Sequence, residues 1–367
     1  MKKVLVVFGT RPEAIKMCPL VLCLKKSKGI TCCVCLTGQH REMLETVMEA
    51  FSVEADYNLE IMKTNQTLSL ITTAILTKLE EVIDIEKPDM MLVHGDTTTS
   101  FAAALEGFYH RIPVGHVEAG LRTYCMQSPY PEEFNRQTVD LIADLYFAPT
   151  KWAEQNLLSE GKEREKIFVT GNTVIDALST TVNQNYRNEI LDWAEGSRMI
   201  LFTAHRRENI GKPMKNMFRA LLRVLDEYSD VKVIYPVHRN PKVRAIVNEF
   251  LKGHDRIKII EPLDVVDFHN FMGKSYLIMT DSGGIQEEAP ALGKPVLVMR
   301  DTTERPEGIE AGTLKLTGTE EDRIYKVLKE LLTSKESYEI MSSASNPYGD
   351  GHASEKITRI VIEYLKL

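Results

Sequence analysis

A chain of 367 residues is too long for one ordinary core and suits two domains. Its 43% hydrophobic and 26% charged content is that of a globular protein, and a formal net charge of -7 argues against general nucleic-acid binding while leaving room for a phosphate held by local Arg and Lys. No apolar run approaches the roughly 18 residues of a membrane span, and the run Val4 to Phe8 is too short for the core of a signal peptide, so a cytosolic protein is expected.

Lys2 to Phe8 reads as the first strand. Gly9-Thr10-Arg11-Pro12-Glu13-Ala14-Ile15-Lys16 then turns into a helix running to about Lys26, with Pro12 suited to a first helical turn. This is the position of a dinucleotide-binding turn, but Gly-x-Gly-x-x-Gly is absent, and a nicotinamide cofactor loses most of its support. Arg11 and Lys16 stand near the helix start instead, where cations are unfavourable unless an anion joins them, so a phosphate is favoured over two solvated charges. Ile30 to Leu36 reads as the second strand. It carries Cys32, Cys33 and Cys35, three of the six cysteines, as small hydrophobes rather than metal or redox groups. Gln39-His40-Arg41-Glu42 opens the next helix. Leu68, Ile71, Ile75, Leu79 and Val82 recur at helical spacing and predict an amphipathic helix from Thr67 to about Ile85.

Asp89 to His94 reads as a strand ending in His94-Gly95-Asp96-Thr97, followed by an Ala-rich helix from Ser100 to Tyr109. Ile112-Pro113-Val114 starts another strand, which ends at His116-Val117-Glu118-Ala119-Gly120. Arg11, Asp96 and Glu118 all fall at carboxyl ends of strands, where open α/β sheets bind ligands. His94-x-Asp96 and His116-x-Glu118 have a spacing that a metal would tolerate, but no metal is expected. In Tyr130-Pro131-Glu132-Glu133-Phe134-Asn135-Arg136, Glu132 and Arg136 are four apart, and a pair on one helix face is the plain reading of both. Glu133 reads as an ion-pair or surface residue. Leu145 to Ala148 is a strand, and Ile167 to Asn172 closes the first domain.

A polar helix and linker, about Ala177 to Ser197, carries the chain onward. Met199 to Phe202 begins a second sheet and ends at His205-Arg206-Arg207-Glu208-Asn209, again with cations at a strand end. Val231 to Tyr235 and Ile257 to Ile260 are further strands. Tyr276 to Met279 then stops at Asp281-Ser282-Gly283-Gly284, a short helix follows, and Val296 to Met299 is the next strand. The turn offers backbone N–H groups at a helix start to an anion, and Glu288, four residues past Gly284, is placed to face back toward it. The plain alternative is a Gly-rich turn with no ligand. Ile357, Ile360, Val361, Tyr364 and Leu365 mark a last helix.

These motifs, in order and over essentially the whole chain, resemble the non-hydrolysing UDP-N-acetylglucosamine 2-epimerase family. The matching stretches are Gly9 to Lys16, Gly38 to Arg41, His94 to Thr97, His116 to Thr123, Pro131 to Arg136, His205 to Asn209, Asp281 to Pro290 and Arg300 to Pro306. The resemblance implies an α/β fold of two Rossmann-like domains of the GT-B type with the active site in the inter-domain cleft. The first domain would be residues 1–175 with the C-terminal helix 354–367 packing back on it, the second 176–353. It further implies interconversion of UDP-N-acetylglucosamine and UDP-N-acetylmannosamine, feeding bacterial surface polysaccharide synthesis, in a homodimer.

The resemblance implies inversion of C2 by way of a glycal, which needs cations on the departing diphosphate and at least two carboxyl groups near the sugar, and neither a metal nor a nicotinamide. Asp96, Glu118 and Glu132 are the carboxyl candidates. Arg11, His205 and the Ser282-Gly283-Gly284 turn are the phosphate candidates, with Lys16 in support. By resemblance Glu288 contacts the ribose, Phe268 helps form the uracil pocket and Arg136 and Arg305 line the cleft; a plain core role is the alternative for Phe268. Glu42 and Asn65 stand where members activated by a second substrate molecule carry Gln and Arg, so weak or no activation is expected. The competing readings are a GT-B glycosyltransferase, a hydrolysing epimerase and a silent nucleotide-sugar sensor.

Overall fold

The computed structural model describes residues 1–38, 41–63, 66–303 and 305–367, residues 41–43 by their backbone alone. Gln39, His40 and Asn65, and the side chain of Glu42, lie outside the described residues, so the expectation about activation has no structural counterpart. The chain divides into two compact units, Met1–Thr180 with Tyr348–Leu367, and Thr181–Pro347.

The first unit is built on seven strands: β1 (Lys2–Phe8), β2 (Ile30–Leu36), β3 (Tyr57–Asn58), β4 (Met90–His94), β5 (Val114–Val117), β6 (Leu145–Ala148) and β7 (Ile167–Val169). Six build the second: β8 (Arg198–Thr203), β9 (Val231–Pro236), β10 (Ile257–Ile260), β11 (Leu277–Thr280), β12 (Val296–Val298) and β13 (Leu314–Leu316). The sheets run β3-β2-β1-β4-β5-β6-β7 and β10-β9-β8-β11-β12-β13. All described pairings are parallel. Counted within each unit, both therefore contain the Rossmann order 3-2-1-4-5-6. Strand order reverses between β1 and β4 in the first sheet and between β8 and β11 in the second. Those two positions fix where each unit presents its carboxyl-end turns.

The strands read as near-continuous apolar runs because helices cover both faces of a parallel sheet. Val4 to Phe8 are fully buried, as are Met90 to Val93. Leu5, Val7, Cys33, Cys35, Met91 and Val93 share one core cluster with Ile75, Leu79 and Ala102 to Ala104 of the covering helices. The three alanines leave no side-chain bulk, so the helix Thr98–Tyr109 beds closely on the sheet. Thr67 caps the helix Leu68–Glu86 by accepting from the Leu70 N–H at 3.3 Å. In the second unit the core is aromatic at its centre: the Phe202 and Tyr235 rings meet edge to face at 4.8 Å.

All six cysteines are free. Cys32 and Cys35 do stand at Cys-x-x-Cys spacing, but three positions along a strand place them on opposite faces. Burial pushes the thiols of Cys18, Cys32, Cys33 and Cys35 up to about 12, which leaves them unreactive packing groups.

One segment departs from the sequence reading. The helix taken as polar from Ala177 begins at Thr173. Its first turns bury Val174, Ile175, Ala177 and Leu178, with Val174 and Ile175 packed against Tyr348 of the returning chain. The C-terminal helix Ala353–Tyr364 belongs to the first unit and buries Ile357 and Val361 there. Its own N-cap residue, His352, makes no side-chain cap. Asp176 does that work from a distance, accepting from the N–H groups of Ala353 at 3.2 Å and Ser354 at 2.6 Å. No described helix is long and apolar enough to cross a membrane.

Replacing Asp176 by Ala leaves two buried N–H groups without an acceptor. The expected loss is about 1–3 kcal/mol, read as a lower urea midpoint at unchanged slope. An unmoved midpoint would show that the remote cap contributes nothing.

Candidate functional site

At the switch point of the first sheet, the turns after β1 and β4 are held together by one carboxylate. Glu13 is 1% exposed. It accepts from the N–H groups of Gly9 at 3.0 Å and Thr10 at 2.7 Å, both in the turn after β1. It also accepts from the hydroxyls of Thr97 at 2.7 Å and Ser100 at 3.1 Å, in the turn and helix after β4. Burial pushes its carboxyl above the ordinary value, and the hydrogen bonds from Thr97, Thr10 and the Gly9 N–H work against that. Gly9 is required by close approach. A Cβ there would lie 1.9 Å from the Thr37 hydroxyl and 2.8 Å from that of Thr99.

Three candidate residues gather next to this tie. Glu118 follows β5 with φ of 69°, a left-handed backbone that a glutamate adopts only under constraint. Its Oε1 accepts from Lys16 Nζ and from Asn172 Nδ2, the latter at 2.9 Å. Its Oε2 lies 3.7 Å from His94 Nε2. The Lys16 side chain thus bonds a carboxylate. Asp96, one turn away, receives Arg136 on its carboxylate and Asn135 Nδ2 on its main-chain oxygen at 2.9 Å.

The Glu132–Arg136 pair that the spacing allowed is not made. Arg136 reaches Asp96 and, at 3.3 Å, Glu133. Glu133 is the ion-pair residue foreseen, but it is buried rather than at the surface. It also accepts from the N–H groups of Thr123 and Tyr124 and from Gln137. Glu132 is half-buried at the first position of the helix Glu132–Ile142, and among the described residues no bond joins it to Asp96 or Glu118. The His116 ring is fully buried with Nδ1 at 2.6 Å from Asp140 and Nε2 at 2.8 Å from the Gly95 carbonyl, so both ring nitrogens are already engaged. Burial pushes the Asp140 carboxyl up, but His116 and Arg122 outweigh it and hold the group below its ordinary value.

The second switch point repeats the device. Asp281, fully buried after β11, accepts from the N–H groups of His205 and Arg206, both at 3.0 Å. It accepts from Asn209 Nδ2 at 3.0 Å as well. Its main-chain oxygen takes Arg206 Nε at 2.9 Å. The turn after β8 is thereby bound to the turn after β11, and the Thr203 and Thr280 hydroxyls meet beneath at 2.7 Å. His205 keeps an exposed ring stacked on His238 at 5.3 Å between centroids. Desolvation is the largest influence lowering its pKa, aided by His238 and Arg206 and opposed by Asp281.

Beside this, Ser282, Gly283 and Gly284 lead into the helix Ile285–Ala291. A Cβ on Gly284 would lie 3.5 Å from Glu288 Oε1, so the Glu288 carboxylate does fold back over the turn. Its other oxygen lies 3.6 Å from His269 Nε2. Arg305 bonds Glu287, its Nε 2.5 Å from the carboxylate. Phe268 is half-buried on the helix Val265–Lys274, and Arg11 is half-buried at the start of its own.

Glu13, Asn172 and Asp281 received no role from the sequence. Thr10-x-x-Glu13 has capping-box spacing and was a usable signal. Asn172 gave none, because its partner is 54 residues away.

The UDP-N-acetylglucosamine 2-epimerase family model matches residues 22–362. The UDP-N-acetylglucosamine 2-epimerase of Bacillus subtilis is 60% identical over 355 residues, covering 97% of this chain and 93% of that one. The structure of Staphylococcus aureus MnaA with UDP is 56% identical, with a TM-score of 0.92 over 100% of this chain and 98% of that one. The Neisseria meningitidis UDP-GlcNAc 2-epimerase bound to UDP-GlcNAc is 49% identical, with a TM-score of 0.89 over 98% of this chain and 100% of that one. The two Rossmann-like units agree with the GT-B-type neighbours, and the chain belongs to the UDP-N-acetylglucosamine 2-epimerase family.

Proposed function

We propose that the protein reversibly inverts C2 of UDP-N-acetylglucosamine to give UDP-N-acetylmannosamine, without net hydrolysis. The observation that carries this reading is whole-length kinship at 60% identity to a UDP-N-acetylglucosamine 2-epimerase. The C2 proton is not acidic in the intact sugar. Loss of UDP from C1 with loss of the C2 proton gives a 2-acetamidoglucal: the C1–O and C2–H bonds break, and the electron pair of the C–O bond leaves with the β-phosphate. Protonation at C2 from the opposite face and return of UDP to C1 complete the inversion. The product would feed surface polysaccharide synthesis, and a homodimer is the expected assembly.

Asp96, Glu118 and Glu132 are assigned to proton transfer. Glu118 has the strongest support: a strained backbone, a cation on one oxygen and near-complete burial. His205, Arg11 and the Ser282-Gly283-Gly284 turn are assigned to the diphosphate, Glu288 to the ribose, Phe268 to the uracil, and Lys16, Arg136 and Arg305 to support around the sugar and phosphates. Asp281 orients His205 by fixing its main chain.

Proton NMR of the protein with UDP-N-acetylglucosamine in D2O is expected to show UDP-N-acetylmannosamine, with deuterium at C2 in both epimers. Free N-acetylmannosamine with UDP would select a hydrolysing enzyme. An unchanged spectrum would point to a transferase or a sensor. Glu118→Gln is expected to lower kcat by more than about a hundredfold with UDP binding kept; lost UDP binding would make Glu118 structural. Because His205 titrates below the ordinary histidine value in the ligand-free protein, an arriving diphosphate favours its charged form and binding takes up a proton. The UDP affinity of wild type relative to His205→Gln is therefore expected to rise from about pH 8 to about pH 5 in calorimetric titrations. A constant ratio would remove His205 from the phosphate site.

A further inference from the structure

His94 closes β4, and its ring is almost wholly buried. Nε2 has no hydrogen-bond partner, although an unpaired buried polar atom is costly. Burial, the largest influence on the ring, holds it neutral with a pKa lowered to about 3; Lys16 and His116 act in the same direction, and Glu118 opposes them. A neutral ring protonated at Nδ1 carries a lone pair at Nε2. Nε2 faces Glu118 Oε2 across 3.7 Å. Two acceptors at that separation make no bond while Glu118 is ionised. The other charged and titratable groups nearby are otherwise engaged: Lys16 donates to Glu118 Oε1, and His116 is bonded to Asp140 and the Gly95 carbonyl.

We propose that His94 is a positioning residue, protonated at Nδ1, whose Nε2 accepts the hydrogen bond of protonated Glu118, so that the proton Glu118 carries in epimerisation resides on Oε2. This rests on the assignment of Glu118 to proton transfer. The carboxyl then has two satisfied states. Ionised, it is held through Oε1 by Lys16 and Asn172. Protonated, it turns slightly and its Oε2–H donates to His94. A group that takes a proton in one direction of a reversible reaction and returns it in the other needs both states. When Glu118 is the base, the C2–H bond breaks, an Oε2–H bond forms, and the C–H electron pair becomes the C1–C2 double bond as UDP departs. When it is the acid, the same bonds change in reverse.

The test compares His94→Asn with His94→Gln in the full-length enzyme, following epimerisation against pH. Asn keeps a polar atom near the Nδ1 position and has none at Nε2, whereas Gln can place an acceptor there. Without the acceptor, protonated Glu118 is disfavoured. The limb of the pH–kcat/KM profile set by Glu118 is then expected to move to lower pH by about one unit, whether Glu118 acts as base or as acid. In His94→Asn kcat should fall roughly tenfold at unchanged UDP affinity, and His94→Gln should recover much of it. An unmoved profile and unchanged kcat in His94→Asn would overturn the proposal, as would equal losses in both variants with no shift of the limb. The wild-type protein supplies a test free of folding effects. In ¹⁵N-histidine spectra, with the His94 signal identified by its loss in His94→Gln, a neutral Nδ1–H ring is expected. A neutral Nε2–H ring would overturn the proposal. Glu118→Gln run alongside separates the two ideas, because activity surviving in that variant removes Glu118 from the chemistry, whatever His94 does.

Discussion

Each unit depends on one buried carboxylate at the point where its strand order reverses. Glu13 binds the turns after β1 and β4, and Asp281 binds the turns after β8 and β11. Turns at a switch point diverge, because the helices that follow leave toward opposite faces of the sheet. Nothing in the sheet ladder itself holds their outer ends together. A carboxylate offers about four acceptor positions, enough to take main-chain donors from one turn and side-chain donors from the other. Burial raises the cost of each bond that goes unmade, so the tie is stiff only when every donor is in place.

The two ties leave different groups exposed. In the first unit the tie is built from Thr, Ser and backbone N–H groups, and Asp96 and Glu118 stand one step outward in the turns after β4 and β5. There Glu118 and Asp96 each receive a cation. In the second unit the tie consumes the main-chain donors of His205 and Arg206, which leaves the His205 ring free to turn outward beside the Ser282 to Gly284 turn. The contrast follows from chemistry. Moving a proton calls for carboxyl groups whose ionisation is controlled by near neighbours. Holding a diphosphate calls for donors and cations on a fixed backbone.

His94 shows how burial adds a function that charge alone does not. At the surface its ring would titrate near neutrality. Buried at the end of β4 it is kept neutral, with Nε2 facing Glu118. The left-handed backbone of Glu118 is the constraint that brings its carboxylate over Gly95 and within reach of both Lys16 and His94.

The sequence by itself determined what is local. Apolar runs marked strands because both faces of a parallel sheet are covered. Gly and Pro marked the turns, and cations and carboxyls at strand ends marked where a ligand would sit. Arg11, Asp96, Glu118, His205 and Ser282 to Gly284 were singled out on those grounds. What only the tertiary structure decided is which of these groups bond to one another. Arg136 passes over Glu132, four residues away, for Asp96, forty residues away, because strand order sets the turn after β4 beside its helix. Lys16 meets Glu118 across 102 residues for the same kind of reason. Glu133, which sequence left open to the surface, is buried because two loop N–H groups fold onto it. Helical and strand periodicity constrain neighbours within a few positions. A hydrogen-bond partner at long range is chosen by strand order and burial, which only the folded chain possesses.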